Sequence, residues 1–453
     1  TVPHNLHRRR SGPRSGCPAQ DYPTLRGSQT ADLTVVGGGY AGLWTAVLAK
    51  RRNPAQRVIL LEAGTIGWAA SGRNGGFCEA SLTHGYDNGL ARWPDELAEL
   101  ERLGEENLEE LAQDLLDLRI DAEFERTGFL AVAVEEHQVP WLSDAPEAEV
   151  LDGPQIRAEI ASPIFLGAAW DRHHTALVHP AKLARGLARA AADLGVEVFE
   201  RSRVLSLDSA RSGPVTLQTA KGSVASGQVA LATNVFRPLL RRARHFTVPV
   251  YDYVLMTEPL SPAQLATVGW DHRQGFGDMA GQFHYSRLTA DNRILYGGYD
   301  AIYHPGGRVD PAYEDRPESY QRLAAHFLTT FPQLEDLRFS HRWAGAIDTC
   351  TQFCAFHGLA RGGRVAYTAG FTGLGVGATR FAAQVMLDRL EGLDTRRTRP
   401  AMVRRLPLPF PPEPVATVGI ELTRRAIDSA DHHQGRRNLF LRTLDAAGLG
   451  FDS

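Results

Sequence analysis

Residues 33–42 read Leu33-Thr34-Val35-Val36-Gly37-Gly38-Gly39-Tyr40-Ala41-Gly42, an apolar, β-branched run that stops on glycines and passes straight into a helix-forming stretch. The run has the composition of a strand covered on both faces. Gly37 permits the tight turn out of the strand, Gly39 lets the backbone approach a pyrophosphate, and Gly42 lets the helix pack closely on the sheet. Phosphates held at such a turn rest on the free N–H groups of the helix N-terminus. Val58-Ile59-Leu60-Leu61 then supplies a second parallel strand. Glu62 at its end stands where a carboxylate accepts a ribose 2′-hydroxyl and repels a 2′-phosphate. A glycine motif alone marks many turns that bind nothing, but strand, helix, second strand and terminal acid in register predict a dinucleotide site. NAD and FAD both satisfy it.

The 453 residues suffice for two or three packed units. A net charge of -3, from 49 basic and 52 acidic side chains, gives no field to recruit nucleic acid or an anionic membrane. Cys17, Cys78, Cys350 and Cys354 are too few and too scattered for a disulfide framework, so a reducing, cytoplasmic setting is expected. Residues 1–30 carry Arg8, Arg9, Arg10 and Arg14 among Gly, Pro and Ser with no apolar run behind them, which reads as a disordered leader rather than a secretory signal. No apolar run is long enough to span a bilayer. The pairs His173-His174 and His432-His433 have no acidic or cysteine partners at ligand spacing, and no metal is expected.

Beyond Glu62, residues 64–76 are glycine-rich and read as a ligand-wrapping loop. Leucines at 97, 100, 103, 108, 111, 115 and 118 predict a helix, and residues 128–134 a strand. A second helix-to-strand passage covers 180–207, and 215–219 with 224–229 reads as a hairpin leading to Leu231-Ala232-Thr233-Asn234. Residues 249–339, rich in Tyr, Phe and Gly, alternate like a mixed sheet. Val365-Ala366-Tyr367-Thr368-Ala369 is another buried strand, followed by a glycine-rich turn at 370–377 and a helix to about 390. That turn contains a GxGxxA pattern but lacks a second strand with a terminal acid, so it is no second nucleotide site. A proline-rich boundary at 407–414 precedes an amphipathic helix at 415–429, expected to pack on the main body.

Three glycine-rich segments far apart in the chain are more than a nicotinamide site needs, and they suit a flavin buried lengthwise. The last of them begins a helix whose N-terminus could stabilise negative charge on the reduced ring. In this respect the chain resembles the D-amino-acid oxidase superfamily of FAD-dependent oxidoreductases, which includes glycine oxidase, sarcosine oxidase and the gamma-glutamylputrescine oxidases. The matching pieces run in order from Tyr22-Pro23-Thr24-Leu25-Arg26-Gly27 through Thr257-Glu258-Pro259-Leu260 and Arg287-Leu288-Thr289-Ala290-Asp291 to Trp343-Ala344-Gly345 and residues 370–377. Ala70-Ser71-Gly72-Arg73-Asn74-Gly75-Gly76 looks most like the gamma-glutamylputrescine oxidase branch. The resemblance ends near residue 400.

The resemblance implies FAD as cofactor and an α/β (α+β mixed) fold: a Rossmann-like FAD-binding domain interleaved with a substrate domain on a mixed, largely antiparallel sheet. The FAD domain is expected at 31–90, 175–245 and 340–400, the substrate domain at 91–174 and 246–339, and a helical tail at 401–453. Expected cofactor contacts are Gly37, Gly39, Tyr40, Ala41, Gly42, Glu62, Ala63, Ser71, Gly72, Arg73, Asn74, Gly75, Gly76, Val204 through its backbone, Thr233, Asn234, Gly345, Gly370, Thr372, Gly373, Leu374, Gly375 and Val376. Arg73 and Asn74 could equally serve the loop itself. Substrate positioning falls to Tyr251, Tyr253, Tyr285, Arg287 and Trp343, each of which could instead be a packing residue.

One departure is informative. Where the amino-acid-oxidising members of the family usually read Leu-Arg-Pro, an arginine that in glycine oxidase pairs with the substrate carboxylate, this chain reads Ala346-Ile347-Asp348. A desolvated carboxylate needs a bidentate cation, so an amine is expected instead, with Asp348 able to attract a cation or to serve as a cap. The expected reaction takes a primary or secondary amine to an imine by hydride transfer to flavin N5, with O2 reduced to H2O2. A dehydrogenase of the same fold with another acceptor or a modified amino acid, and a non-catalytic dinucleotide-binding module, are the alternatives. A disulfide reductase is disfavoured because only Cys350-x3-Cys354 is present. Cys350 does not align with the flavin-linking cysteine of monomeric sarcosine oxidase, so a free thiol is expected there.

Overall fold

The computed structural model describes residues 20–144, 147–446 and 448–450. Most of the expected leader, with Cys17, lies outside them. Its last part does not behave as a leader: Tyr22 and Leu25 are buried, Leu25 N donates to Ser202 Oγ at 2.9 Å, and the first strand begins at Gly27.

The dinucleotide turn sits at the centre of the first sheet. Its path runs Phe356–Ala360, Val365–Ala369, Gly222–Leu231, Gly27–Val36, Val58–Leu61 and Glu197–Phe199. The first pair is antiparallel and the others parallel. The expected hairpin is present, Val215–Thr219 antiparallel to Gly222–Leu231, and Val204–Ser209 extends it. Leu33, Thr34, Val35 and Val36 are all buried, as a central strand covered on both faces requires. The helix Tyr40–Arg52 is buried through its first eleven positions because the helices Pro180–Asp193 and Gly375–Leu390 cover it.

The second sheet runs Ile302–Tyr303, Val248–Thr257, Ile294–Gly298, His284–Leu288, Gly275–Asp278, Phe129–Ala133, Gly167–Asp171 and Glu149–Asp152, with Phe339–Thr349 also pairing with Val248–Thr257. It is antiparallel except where Gly275–Asp278 meets Phe129–Ala133. This is the mixed sheet expected. Phe339–Thr349 belongs to it, so a boundary at 339/340 falls at the start of a second-sheet strand. The helix Pro317–Thr330 covers one face through Tyr320, Leu323 and Phe327, and the other face is turned to a large cavity.

The tail is helical, with Val415–Asp431 and Leu439–Ala446 packed together. Glu413 accepts from Gly306 N at 3.2 Å and from the Tyr303 hydroxyl, and Asp431 accepts from Gly281 N at 2.8 Å and Gln282 N at 2.9 Å. Both ends of the longer helix are thereby fastened to the second sheet. Among the described residues no helix is long and apolar enough to cross a membrane.

Candidate active site

One continuous cavity of about 2660 Å³ runs from the glycine turn to the second sheet. A site for a single drug-sized ligand occupies about 300–1,000 Å³, so this one has room for a large cofactor and a substrate together. The glycine turn, the loop at 67–76 and the turn at 372–376 all line it, so folding unites three segments far apart in sequence.

At the first end the fit to a dinucleotide is steric and electrical. A Cβ at Gly37, where φ is +116°, would stand 2.3 Å from Ala232 O, and one at Gly39 would stand 2.8 Å from Ser71 Oγ. Only bare backbone fits there. The helix behind the turn has Gly39 as its N-cap and no side-chain cap, and the helix Gly375–Leu390 likewise starts at Leu374 uncapped. Two helix N-termini without a side chain of their own as cap therefore meet the cavity, an arrangement that suits a pyrophosphate and an electron-rich ring edge. Gly373, at φ +97°, has nothing within 4 Å of a built Cβ and leaves that entrance clear.

Glu62 organises the turn rather than waiting for a ribose alone. Its Oε2 accepts from Gly38 N at 2.6 Å, and its Oε1 accepts from Gly64 N at 2.6 Å and Trp68 Nε1 at 2.7 Å. A carboxylate has about four acceptor positions, so one remains for a ribose hydroxyl. Trp68, which sequence reasoning missed, lies over this carboxylate and packs on Phe236 with centroids 5.2 Å apart.

The wrapping loop is pinned from both sides. Ser71 Oγ accepts from Tyr40 N at 3.0 Å; Asn74 Nδ2 donates to Ala70 O at 3.0 Å, and its Oδ1 accepts from Gly76 N at 2.9 Å. The amide of Asn74 thus serves the loop. Arg73 pairs with Glu314 at 2.7 Å.

Of the expected cofactor contacts, Gly37, Gly39, Tyr40, Ala41, Glu62, Ala63, Ser71, Arg73, Asn74, Gly75, Gly76, Val204, Thr233, Asn234, Gly345, Thr372, Gly373, Leu374, Gly375 and Val376 line the cavity. Gly42, Gly72 and Gly370 do not, and each has a backbone reason for being glycine. A Cβ at Gly42 would lie 1.9 Å from Gly37 O, one at Gly72 2.1 Å from Gly67 O, and Gly370, at φ +77°, donates its N–H to Asp348 Oδ2 at 2.6 Å.

The expected substrate residues divide. Tyr285 lines the cavity and donates its hydroxyl to Asp252 Oδ2. Tyr251 reaches the cavity edge, with its hydroxyl accepting from Asp310 N at 3.1 Å. Tyr253 must be corrected: it points to the opposite face, among Tyr320, Leu323 and Phe327, and donates to Tyr313 O at 2.8 Å. Arg287 is also corrected. It lies buried behind Gly76 with Nη1 donating to Val178 O at 2.8 Å, and burial lowers its pKa to about 10. Trp343 is buried beside Val254 and Met256 and donates Nε1 to Arg73 O at 2.7 Å, which makes it a brace for the loop rather than a cavity wall.

Asp348 and Asp252 are among the carboxyl groups that line the cavity. Asp348 is 2% exposed, and burial pushes its pKa up to about 7 although Gly370 N, Phe371 N and Asn234 hydrogen-bond to it. It caps the glycine turn at 370–373. Asp252, between the two tyrosines of its strand, faces the cavity with Val250 and Val254. Period-two alternation could have found it had the strand's inner face been known.

A cradle of bare glycines and open helix ends, continuous with a chamber on a mixed sheet, defines a flavin-dependent oxidoreductase. The chain matches the FAD dependent oxidoreductase family over residues 32–389 and belongs to it. It is 33% identical to the gamma-glutamylputrescine oxidoreductase of Escherichia coli K12 over 390 residues, 82% of this chain and 86% of that protein. It is 29% identical to the probable oxidoreductase OrdL of Haemophilus influenzae over 397 residues, 83% of this chain and 86% of that one. The fold matches that of glycine oxidase from Bacillus cereus ATCC 14579 with a TM-score of 0.66 at 20% identity, covering 83% of this chain and 99% of that structure. FAD is the cofactor of the family.

Proposed function

We propose that the chain oxidises the C–N bond of a primary or secondary amine to an imine, with O2 as the acceptor that yields H2O2. One observation carries the amine reading: among the described residues no arginine of the second-sheet strands lines the cavity, and Ile347 lines it at the position where the resemblance implies an arginine in glycine oxidase. Of the arginines nearest the chamber, Arg73 pairs with Glu314 and Arg424 with Glu421. Among the described residues of the second-sheet strands a substrate carboxylate finds no bidentate partner, and a desolvated carboxylate without one is strongly disfavoured. The gamma-glutamylputrescine relative, named for an amine derivative, supports the same reading.

Bound FAD supplies the hydride acceptor at N5. The protein's part would be to hold the cofactor through the glycine turn, the loop at 67–76 and the turn at 372–376, and to keep water from the chamber. The apolar and aromatic walls supplied by Phe77, Val250, Val254, Met279 and Tyr285 serve the second purpose. We assign the first-sheet segments to FAD and the second sheet to the substrate. Burial of Cys78, Cys350 and Cys354 as free thiols supports a cytoplasmic setting.

The test is anaerobic addition of putrescine derivatives, other amines, sarcosine and glycine to the holoenzyme, followed by absorbance. Amines are expected to bleach the oxidised flavin, and air to restore it with one H2O2 per cycle. Bleaching by glycine or sarcosine but by no amine lacking a carboxylate would overturn the reading.

A further inference from the structure

We infer that Asp252, held by Tyr285, is the group that receives the substrate's ammonium and takes its proton, so that the chamber selects cationic amines. The inference rests on the amine reading above and adds the residue and the charge state.

Asp252 lies on Val248–Thr257, a strand of the second sheet paired on both sides, on the face opposite Tyr251 and Tyr253. Its exposure is to the cavity rather than to open solvent. Three donors hold it: the Tyr285 hydroxyl on Oδ2, Gly298 N on Oδ1 at 3.1 Å, and Tyr253 N. Three of about four acceptor positions are thereby used. Among the described residues no lysine, arginine or histidine forms an ion pair with Asp252. The contrast is Asp300, a few residues past the same Gly298 turn, which is neutralised by Arg316 at 3.1 Å and by Arg322 at 2.5 Å. Carboxylates withdrawn from water are ordinarily paired. Asp252 is fixed, desolvated and short of a cation, and it lines the cavity with an acceptor position to spare.

The groups around it explain how it can work near neutral pH. Burial raises its pKa to about 6, the bonds from Tyr285, Tyr253 N and Gly298 N lower it, and Asp300 raises it slightly. From the neighbouring strand Phe339–Thr349 its register partner is Gly345, which brings no charge, and the loop's Arg73 is engaged by Glu314. Above its pKa the carboxylate is charged and attracts an ammonium. The step is then a proton transfer alone: an N–H bond of R–NH3+ breaks, an O–H bond forms on Asp252, and a neutral amine with its lone pair remains. No electron moves in it. Tyr285, whose own pKa is pushed well up by burial and by Asp252, stays protonated and keeps donating.

The test uses n-butylguanidinium, a cation at every accessible pH, and its neutral isostere n-butylurea, titrated calorimetrically into holoenzyme. Wild type is expected to prefer the guanidinium by more than about tenfold at pH 8, and to lose that preference as pH falls through about 6. Asp252→Asn should bind both equally and show no such pH dependence. Tyr285→Phe, which keeps the carboxylate and loses a bond that lowers its pKa, should retain the preference with its midpoint moved to higher pH. Flavin content and spectrum identify any variant that has not folded. Equal binding of the two ligands by wild type, no binding of either, or an undiminished preference in Asp252→Asn would each overturn the inference. Asp252-dependent guanidinium binding in an enzyme that no amine reduces would instead sink the amine-oxidation reading and leave this one standing.

Discussion

Glu62→Gln keeps the side chain's shape and removes its charge, so it isolates what this carboxylate does for the phosphate-binding turn. Glu62 is 6% exposed and takes three N–H donors, Gly38 N on Oε2 and Gly64 N with Trp68 Nε1 on Oε1. A glutamine has one acceptor oxygen, and the donors lie on both sides. With that oxygen toward Gly64 and Trp68, the new NH2 group meets the Gly38 N–H, donor against donor. The reversed placement loses two bonds. The better placement loses one charge-assisted bond, about 1.5–3 kcal/mol, and reduces two others to neutral strength, about 1 kcal/mol each. The total is about 3–5 kcal/mol of folding stability. Gly38 belongs to the turn itself, so part of the loss must also enter FAD affinity, where about 1.4 kcal/mol is tenfold. Urea unfolding of the apoprotein reads the first quantity, and FAD titration followed by flavin fluorescence reads the second. The variant should lose stability in that range and bind FAD at least about tenfold more weakly. Stability within about 1 kcal/mol of wild type, together with unchanged FAD affinity, would refute the role given to Glu62.

Gly42→Ala places a Cβ 1.9 Å from Gly37 O, so the helix must move off the strand; the purified variant is expected to be colourless or insoluble, and an FAD-replete, normally stable protein would contradict the packing. Tyr253→Phe removes a hydroxyl bonded to Tyr313 O on the core side; urea melts should show a loss of about 0.5–1.5 kcal/mol with amine turnover unchanged. Asp348 has its carboxyl raised to about 7 in the folded protein and near 3.9 when unfolded. The native state therefore holds the extra proton between those values, and its contribution to stability falls as pH rises from about 4 to about 7. Melts of Asp348→Asn across pH 5 to 8 should slope less than wild type, and identical slopes would remove Asp348 as the cause. Ile427→Trp adds bulk where the tail helix meets Gly281, whose built Cβ would stand 2.8 Å from Ile427 Cγ2; KM should rise for long amines and change little for short ones.

The parts of this molecule that were legible in the sequence are those fixed by local chemistry. A β-branched run ending on Gly37, a terminal Glu62 and a glycine turn before the helix at 375 each constrain the backbone within a few residues, and the structure has all three at one cavity. Leucine spacing likewise marked the helix Leu97–Asp117. Arg287 lies in the expected substrate sheet, where sequence alone allows a positioning or a structural role equally. What decides its role is Val178 O, more than a hundred residues away and invisible to local pattern.

The substrate face shows the limit most clearly. Val248–Thr257 alternates Val250, Asp252 and Val254 with Tyr251, Tyr253 and Leu255. Either set could face a core, because tyrosines bury well once their hydroxyls find partners and valines suit both sides. A one-residue choice of face exchanges the whole set. The helix Pro317–Thr330 makes that choice by covering the tyrosine face, with Tyr320 set edge-on against Tyr253. It leaves the lone aspartate facing the cavity. The same long-range packing brings Ile420 and Ile427 of the tail onto the cavity wall. An amphipathic helix announces that it will bury one face, but Asp431 accepting from Gly281 N and Gln282 N determines which surface it covers. The chemistry of the turn can therefore be read from the chain, whereas the substrate's surroundings depend on contacts between distant elements, and it is there that Asp252 has to be tested.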